Sequence, residues 1–369
     1  MKKITVLILI IILSGCFGFS RFNNSKRNNS YNIPKNFTDT SKTHLNLTFN
    51  ATKSDYERGL FVLKKYSPDG YYIIYHDIYL SRPRRGSSAY RQLIPFKDRG
   101  FLRYNVLVHE SNHKYASQYL QSMIRNKRIS SFPRFLGYES IYINNGFTIF
   151  VKRTKTFPSA RINSIYPDYI KKMNKEKPRF KTYVYPSIRT QSTQVYGIYG
   201  LLDEFNSYFQ GTRTAYDLLP YYQTKKDVIK SLSVYFQSYY GTFFAHGEFK
   251  LFILQYLILA EKQYPQVFKG IINNKNFIKA FLTVDREYLL LHKRFNSRKK
   301  KLKVWFRLQG YELKVTETYD KIVKRINKNQ RISTGTYNYY PYYNVFINEL
   351  KKPEYSRMMK LLLSKEKQI

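Results

Sequence analysis

Val106-Leu107-Val108-His109-Glu110-Ser111-Asn112-His113 is the stretch around which the rest of the chain is organised. An apolar triplet precedes an H-E-x-x-H pattern, and the periodicity that follows predicts a helix from about Asn105 to Ile124. A spacing of four places the imidazoles of His109 and His113 on one face of that helix, about one turn apart. Two such imidazoles can bind one metal ion, and Glu110 can reach a water on that ion without being a ligand. The alternative is an amphipathic helix whose histidines lie at the surface or in the core.

A second helix is predicted from Tyr196 to Phe209, and it carries an acidic residue among apolar ones. Leu201, Glu204, Phe205 and Tyr208 share one face at the i, i+3, i+4, i+7 spacing. A carboxylate on a buried face needs a partner, and a metal ion is one. The alternative is an exposed acidic pair near the positive end of an ordinary helix.

The pattern His109-Glu110-Ser111-Asn112-His113, followed by a glutamate on a later helix, resembles the gluzincin class of zinc metallopeptidases. The resemblance implies a zinc ion bound by His109, His113 and Glu204, with Glu110 as the general base. The segment between the second histidine and the glutamate is longer here than in the best-known members, so Asp203 and His246 stay open as third ligands. Members of the class often stabilise the oxyanion with a tyrosine or histidine; the candidates here are Tyr196, Tyr199, Tyr208 and His246, with core packing as the alternative role for the tyrosines.

The N-terminus has the pattern of an export signal. Lys2 and Lys3 precede the apolar run Ile4–Ile12, and Leu13-Ser14-Gly15-Cys16 resembles a bacterial lipobox. The resemblance implies that residues 1–15 are removed and that Cys16 is lipidated, which would anchor the chain to a membrane; a plain secretory signal is the alternative. Cys16 is the only cysteine, so cysteine-ligated zinc, a catalytic thiol and an intramolecular disulfide are excluded.

The organisation of the rest follows from composition. Residues 16–54 hold the lipidated cysteine and a polar segment typical of a flexible tether. Residues 55–369 form the metal-binding domain, either as one unit or as two packed lobes, 55–197 and 198–369. The apolar run Leu251–Ala260 is too short to span a bilayer and is predicted to be a buried core helix.

The chain is strongly basic, with 64 Lys and Arg against 24 Asp and Glu, and a formal net charge of +40. Part of this charge can reflect the composition of an AT-rich genome. Charge of this size also predicts attraction to anionic lipid headgroups or envelope polymers, while an export signal argues against nucleic acid. Lys293–Lys303 has seven cations in eleven residues. It is predicted to be a solvated loop, or else a contact with an anionic membrane or cell wall.

Local patterns predict further elements. Residues 59–66 and 71–80 are predicted to form a hairpin around Ser67-Pro68-Asp69-Gly70, and a second hairpin pairs 140–143 with 147–153 around Asn144-Asn145-Gly146. Residues 154–197 have no clear period, which indicates either a functional loop over the site or unrecognised elements. Helices are predicted across 213–292, 315–326 and 342–364.

The sequence therefore predicts an α+β fold of the zincin type, with N-terminal β-hairpins, a central H-E-x-x-H helix and a mainly helical C-terminal half. The predicted function is a zinc metallopeptidase of the bacterial cell envelope, anchored through Cys16 to the outer membrane or cell surface and acting on peptides or proteins. The alternatives are a non-catalytic binding lipoprotein with a basic, aromatic-rich surface and a structural or lost zinc site, and a zinc hydrolase of other bonds.

Overall fold

A computed structural model of the chain describes residues 55–77, 104–126, 137–173, 178–185, 189–315, 319–325, 331–337 and 340–368. These residues belong to one compact unit, and most of them are helical. Two small antiparallel sheets accompany the helices, so the broad class is α+β. The predicted signal peptide, Cys16 and the tether lie outside the described residues.

Fourteen α-helices are described in this part of the chain. Their bounds are α1 Asp55–Tyr66, α2 Pro68–Tyr75, α3 Tyr104–Asn126, α4 Asp168–Met173, α5 Pro178–Tyr183, α6 Ser192–Val195, α7 Ile198–Asp217, α8 Leu219–Gln223, α9 Val228–Phe243, α10 Ala245–Gln263, α11 Pro265–Ile272, α12 Lys275–Leu308, α13 Tyr340–Glu349 and α14 Pro353–Glu366. A 3₁₀ helix spans Ser159–Ser164. The predicted helices around the histidines, across 213–292 and across 342–364 are thereby confirmed.

Helices α3 and α7 pack closely against each other in the middle of the fold. Leu201 and Phe205 of α7 are fully buried, as the sequence predicts. A Cβ atom placed on Gly211 of α7 would lie 2.7 Å from the backbone oxygen of Asn105 and 3.5 Å from Cβ of His109. The missing side chain therefore lets the two backbones approach each other directly behind the first histidine of α3.

The second predicted hairpin is confirmed. Strand β1, Tyr138–Asn144, pairs antiparallel with β2, Phe147–Lys152. The turn residues Asn145 and Gly146 have φ of 46° and 79°, the left-handed values that an Asn-Gly turn favours. Because this local chemistry fixes the turn without help from the rest of the fold, the sequence is sufficient to predict it.

The first predicted hairpin is wrong. Residues 55–66 and 68–75 are the helices α1 and α2, joined at Ser67, and residues 78–80 of the predicted second strand lie outside the described residues. Proline and aspartate in the first turn suit a helix start as well as a turn. Tertiary contacts select the helix: Asp69 accepts a hydrogen bond from the hydroxyl of Tyr142 and forms an ion pair with Arg213.

The helix predicted across 315–326 is also wrong, since strands occupy its described part. Strands β3, Tyr311–Val315, β4, Tyr319–Arg325, and β5, Arg331–Tyr337, form an antiparallel sheet in that order. Leu313 and Ile322 are opposite each other in the β3–β4 register, and both are buried. Burial of this cross-strand pair favours the sheet over a helix.

Two further segments differ in part from expectation. Residues 154–197 contain elements that the sequence did not reveal, namely the 3₁₀ helix and α4 to α6, and some of their side chains also reach the site described below. The cationic run Lys293–Lys303 is not a loop but part of α12. This helix begins after its N-cap Asn274 and ends at Leu308, two residues before Gly310, where φ is 75°.

The apolar run Leu251–Ala260 is a core segment, as predicted, and every one of its residues is buried. One described stretch, Val228–Gln263, is long and apolar enough to cross a membrane by composition. However, 94% of its most apolar window is buried inside the protein, as in the core helices of water-soluble folds. The stretch is therefore weak evidence for a membrane span.

Candidate metal centre

Two imidazoles meet on one face of α3, as their spacing predicts. The ring centroids of His109 and His113 lie 4.8 Å apart, and the rings are nearly perpendicular. Their Nε2 atoms are 3.2 Å apart. Each of the two rings therefore points its Nε2 atom at the same small space.

Glu204 of α7 supplies a carboxylate at that point. Its Oε2 atom lies 3.4 Å from Nε2 of His113 and 3.7 Å from Nε2 of His109. Ligand atoms about 2.1 Å from a tetrahedral ion lie about 3.4 Å from one another, so the three separations fit one shared ion. Among the described residues, His109, His113 and Glu204 are the group that can hold a metal ion.

The surroundings of the Glu204 carboxylate support this reading. Its Oε2 atom is buried and, among the residues described, has no hydrogen-bond partner of standard geometry. A buried carboxylate oxygen without a donor is costly, and a cation between it and the two imidazoles would satisfy it. The residues present therefore fit a metal ion.

The other nitrogen of His113 is held by α7. Nδ1 lies 2.8 Å from Oδ2 of Asp203 and 3.2 Å from Oγ of Ser207. Ser207 in turn accepts a hydrogen bond of 2.9 Å from Nδ2 of Asn112. When Nδ1 carries the proton and donates it to Asp203, the lone pair of Nε2 faces Glu204 and is free for a metal ion.

Burial and nearby charges set the protonation of the three ligands. Burial, reinforced by the charge of His113, lowers the pKa of His109 to about 3, so this ring is neutral. Burial also acts to lower the pKa of His113, but the negative charges of Asp203 and Glu204 outweigh it and raise that pKa well above its usual value. Burial acts to raise the pKa of Glu204, yet His113 and His109 lower it overall, so the carboxylate is ionised.

Glu110 lies beside the three ligands and is not one of them. It is half-buried, and it makes no hydrogen bond or ion pair within the part of the chain that the structure describes. Burial makes the largest contribution to the raised pKa of Glu110. The charges of Glu204 and Asp203 raise this pKa further, whereas those of His113 and Lys114 lower it. The result is an unengaged carboxyl group with increased basicity next to the metal ligands.

Of the three side chains that can hold a metal ion, that of His113 is the most exposed. Side-chain exposure is 19% for His113 but only 9% for His109 and 6% for Glu204. Glu110 is also only half-buried. His109 and Glu204 are both buried in the core.

Tyr208 is placed beside the group. The ring centroid of Tyr208 lies 4.3 Å from that of His109. The Cζ atom of Arg179 lies 4.7 Å from the ring centroid of Tyr208. Tyr183 is hydrogen-bonded to both Tyr208 and Glu204. Of the tyrosines named from the sequence as oxyanion candidates, Tyr208 is the one whose contacts reach a ligand.

Tyr199 lies elsewhere. Its hydroxyl bonds to Oγ1 of Thr154 at 2.7 Å and to Nδ2 of Asn274 at 3.1 Å, and its ring packs against Phe277. These contacts join α7 to α12 and to the segment after β2. A role in catalysis for Tyr199 finds no support in them, and a packing role does. Tyr196 is engaged by Arg153, whose Cζ atom lies 3.9 Å from the ring.

The two alternative third ligands take other roles. Asp203 orients His113 instead of joining the group that can hold the ion. His246 is fully buried between Asp285, at 2.8 Å from Nε2, and the hydroxyl of Tyr343, at 2.9 Å from Nδ1. Burial lowers the pKa of His246. It is a core histidine.

Several side chains at the site have no signal in the sequence. Tyr183 and Arg179 come from α5, a short helix inside a stretch without a clear period. Arg179 is tied down by an ion pair with the fully buried Glu248, and its NH2 donates to the backbone oxygen of Gly241 at 2.9 Å. Ser207 could have been found, because it lies one turn after Asp203 on the same helix face.

Comparison of the chain with protein-family models, with curated proteins and with solved structures gives no match. What the centre can do chemically is therefore inferred from its own side chains. Two imidazoles and a carboxylate, brought together from two helices, face one point. Beside them lies the carboxyl group of Glu110, which has no hydrogen bond or ion pair to any residue that the structure describes.

Proposed function

We propose that this protein is a zinc-dependent hydrolase of peptide bonds, anchored to a bacterial membrane through a lipidated Cys16. The observation that carries the proposal is the convergence of His109, His113 and Glu204 from two helices, with their ligand atoms 3.2 to 3.7 Å apart. The packing of an H-E-x-x-H helix against a helix that carries the third ligand also supports a zincin-like fold. The lipobox pattern supports the anchor.

Zinc is the metal that suits this donor set. Two imidazole nitrogens and one carboxylate oxygen are a common zinc-binding combination in hydrolases, and they leave a position open. When bound, zinc polarises a carbonyl group and lowers the pKa of water to near neutrality. The chain has no cysteine that could form an alternative site in the folded domain, because Cys16 precedes it.

Glu110 would act as the general base and then as the general acid. Its carboxylate would accept a proton from the attacking water and would later deliver it to the departing amine nitrogen. A raised pKa suits both steps, because the group must hold the proton between them. The absence of a hydrogen bond or ion pair to Glu110, within the residues described, leaves it available for this transfer.

Tyr208 and Tyr183 would order the other side of the centre. Tyr183 hydrogen-bonds to Glu204, which fixes one ligand, and to Tyr208, which packs against His109. A hydroxyl at this place can donate a hydrogen bond to developing negative charge on a carbonyl oxygen. Tyr208 is therefore the residue we assign to stabilisation of the oxyanion.

The proposal is tested with zinc content and peptide hydrolysis measured on the same preparations of the full chain. We expect about one zinc per chain and hydrolysis of a mixed peptide library in the wild type. Glu110→Gln should retain zinc and lose hydrolysis by at least about a hundredfold, as expected for loss of a general base. His109→Ala should lose both. Glu312→Gln, at an exposed position on β3, is the matched control and should behave as wild type.

A different outcome would favour the non-catalytic alternative. If the wild type and Glu110→Gln both hold zinc and neither cleaves any peptide, the zinc site is structural and the peptidase proposal is wrong. If the wild type hydrolyses ester substrates but no peptide, the centre is a hydrolase of another class. If no zinc is held, both zinc-based proposals fail together.

A further inference from the structure

The cations of the run Lys293–Lys303, near the end of α12, fall into two sets that differ in exposure. Arg298 and Lys299 are half-buried and turned towards the protein. The Cζ atom of Arg298 lies 3.5 Å from the ring centroid of Tyr216, and Nζ of Lys299 donates to the hydroxyl of Tyr240 at 2.9 Å. The other cations of the run remain exposed; they are Lys293, Arg294, Lys300, Lys301 and Lys303.

Large apolar side chains are exposed on the same side of α12. Leu290, Val304 and Leu308 are 42%, 57% and 77% exposed. They align with Arg294 and Lys301 at spacings of three, four and seven residues, which places all five on one face. A helix face with cations and apolar residues interleaved is what interfacial helices present to a lipid surface.

The charge of this face is not neutralised along the helix. Residues 288–311 contain no Asp or Glu, and Lys300 and Lys301 make no ion pair within the described residues. The fields of neighbouring cations therefore add, and each basic residue near an anionic membrane strengthens binding. The overall charge of +40 acts in the same direction.

Amphipathic aromatic residues lie at the end of the face. Trp305 and Tyr311 are half-buried and line a groove together with Lys226, Asp227, Val228, Ile229 and Gln309. Rings of this kind are favoured at the level of lipid headgroups, where one part is apolar and another is hydrated. The groove thus combines apolar, aromatic and charged side chains next to the exposed face of α12.

We propose that the face of α12 that runs from Leu290 to Leu308 docks on the surface of an anionic lipid bilayer. Lipid is favoured over an anionic polymer because the exposed Val304 and Leu308 would gain nothing from a hydrated polymer, whereas acyl chains can accept them. This contact is independent of the metal centre and goes beyond a tether through Cys16. It would hold one side of the folded domain against the membrane.

The test uses the full chain in vesicles, with Leu308→Cys carrying an environment-sensitive fluorophore on the new thiol. The wild type measures background labelling, because Cys16 is its only cysteine. We expect a blue shift and a several-fold rise in emission in vesicles that contain phosphatidylglycerol. Vesicles of phosphatidylcholine alone hold the lipid anchor equally well and should give no shift. High salt should reverse the effect.

Two controls locate the contact. Tyr185→Cys, at an exposed position outside α12, should give no blue shift in either type of vesicle. Lys300→Glu combined with Lys301→Glu should abolish the shift at position 308. Lys360→Glu combined with Lys367→Glu, which makes the same change of charge at exposed positions of the C-terminal segment, should preserve it.

The proposal is overturned if the label at position 308 keeps a water-like emission in anionic vesicles, or if both types of vesicle shift it equally. If soluble polyphosphate binds the wild type through Lys300 and Lys301 while the label remains in water, the face recognises an anionic polymer and not a bilayer. Zinc content and hydrolysis should be unchanged in the Lys300→Glu, Lys301→Glu variant, so the two proposals fail separately.

Discussion

Nδ1 of His113 lies 2.8 Å from Oδ2 of Asp203, and this contact crosses from α3 to α7. The residue next to Asp203 is Glu204, whose Oε2 atom lies 3.4 Å from Nε2 of the same imidazole. One helix therefore supplies both a ligand and the carboxylate that orients another ligand. The imidazole of His113 is held from both of its nitrogens by consecutive residues of α7.

Removal of the orienting carboxylate should weaken metal binding without removing a ligand. We expect Asp203→Asn to lower the affinity for zinc by about 10- to 100-fold, because the amide is a weaker acceptor for the Nδ1 proton. Competition with a chromophoric chelator measures the affinity. Asp168→Asn, at an exposed carboxylate of α4, is the control. Equal affinities for Asp203→Asn and wild type would show that the contact does not orient the ring.

The close approach of α3 and α7 should depend on a single glycine. In Gly211→Ala the new methyl group would lie 2.7 Å from the backbone oxygen of Asn105, and the helices would have to separate behind His109. We expect the free energy of unfolding to fall by about 1–3 kcal/mol, as for other overpacked positions. Urea denaturation of the apo protein measures it.

The matched control is Gly241→Ala in α9. A Cβ atom there meets nothing within 4 Å, so alanine should leave stability unchanged or raise it by up to about 1 kcal/mol through its higher helix propensity. If Gly211→Ala is as stable as Gly241→Ala, the two helices do not need the close contact.

Much of the fold follows from local sequence, and the errors fall where local chemistry suits two structures. The Asn145-Gly146 turn requires left-handed backbone, so its hairpin is determined locally. Residues 67–70 suit a turn or a helix start equally well, and contacts of Asp69 with Tyr142 and Arg213 decide between them. Those partners lie more than 70 residues away, beyond the reach of any local pattern.

A buried ion pair supports the far side of the metal centre. The guanidinium of Arg179 pairs with the fully buried carboxylate of Glu248. Arg179→Ala should lower the free energy of unfolding by about 3–5 kcal/mol, because it leaves that carboxylate buried without a partner. The exposed pair of Arg286 with Glu366 is the control, and Arg286→Ala should cost about 0–1 kcal/mol.

A double-mutant cycle isolates the pair itself. Arg179→Met combined with Glu248→Gln removes both charges, so it should cost less than the sum of the two single changes. Additive losses in urea denaturation would mean that the two side chains do not interact in solution.

The carboxyl group of Asp217, at the end of α7, should make the free energy of unfolding depend on pH. Burial raises its pKa to about 6, against the opposing charges of Arg213 and Arg298 and with a smaller contribution from Asp69. The folded state thus holds this proton more tightly than the unfolded state. The resulting stabilisation is present below about pH 4 and is lost as pH rises through about 6.

Asp217→Asn should therefore become more stable relative to wild type as pH increases. We expect the difference in the free energy of unfolding to change by an amount on the order of 3 kcal/mol between pH 4 and pH 7.5. Urea titrations across this range measure it. A difference that stays constant with pH would show that the carboxyl group is hydrated in the folded state.

The convergence of the three residues that can hold a metal ion could be predicted from the sequence, because their geometry is set within helices. His109 and His113 share a face through their spacing, and Glu204 lies on the buried face of its own helix. Tyr183 and Arg179 could not be predicted. They belong to a six-residue helix whose position depends on partners such as Glu248, and no periodic pattern marks them.

Anomalous X-ray diffraction at the zinc absorption edge, from crystals of the full chain, tests the metal centre most directly. We expect one strong peak bonded to Nε2 of His109, Nε2 of His113 and a carboxylate oxygen of Glu204, at about 2.0–2.2 Å from each. The peak should disappear in Glu204→Ala. A zinc peak elsewhere in the fold, or none between these three side chains in zinc-loaded protein, would show that they do not form the zinc site.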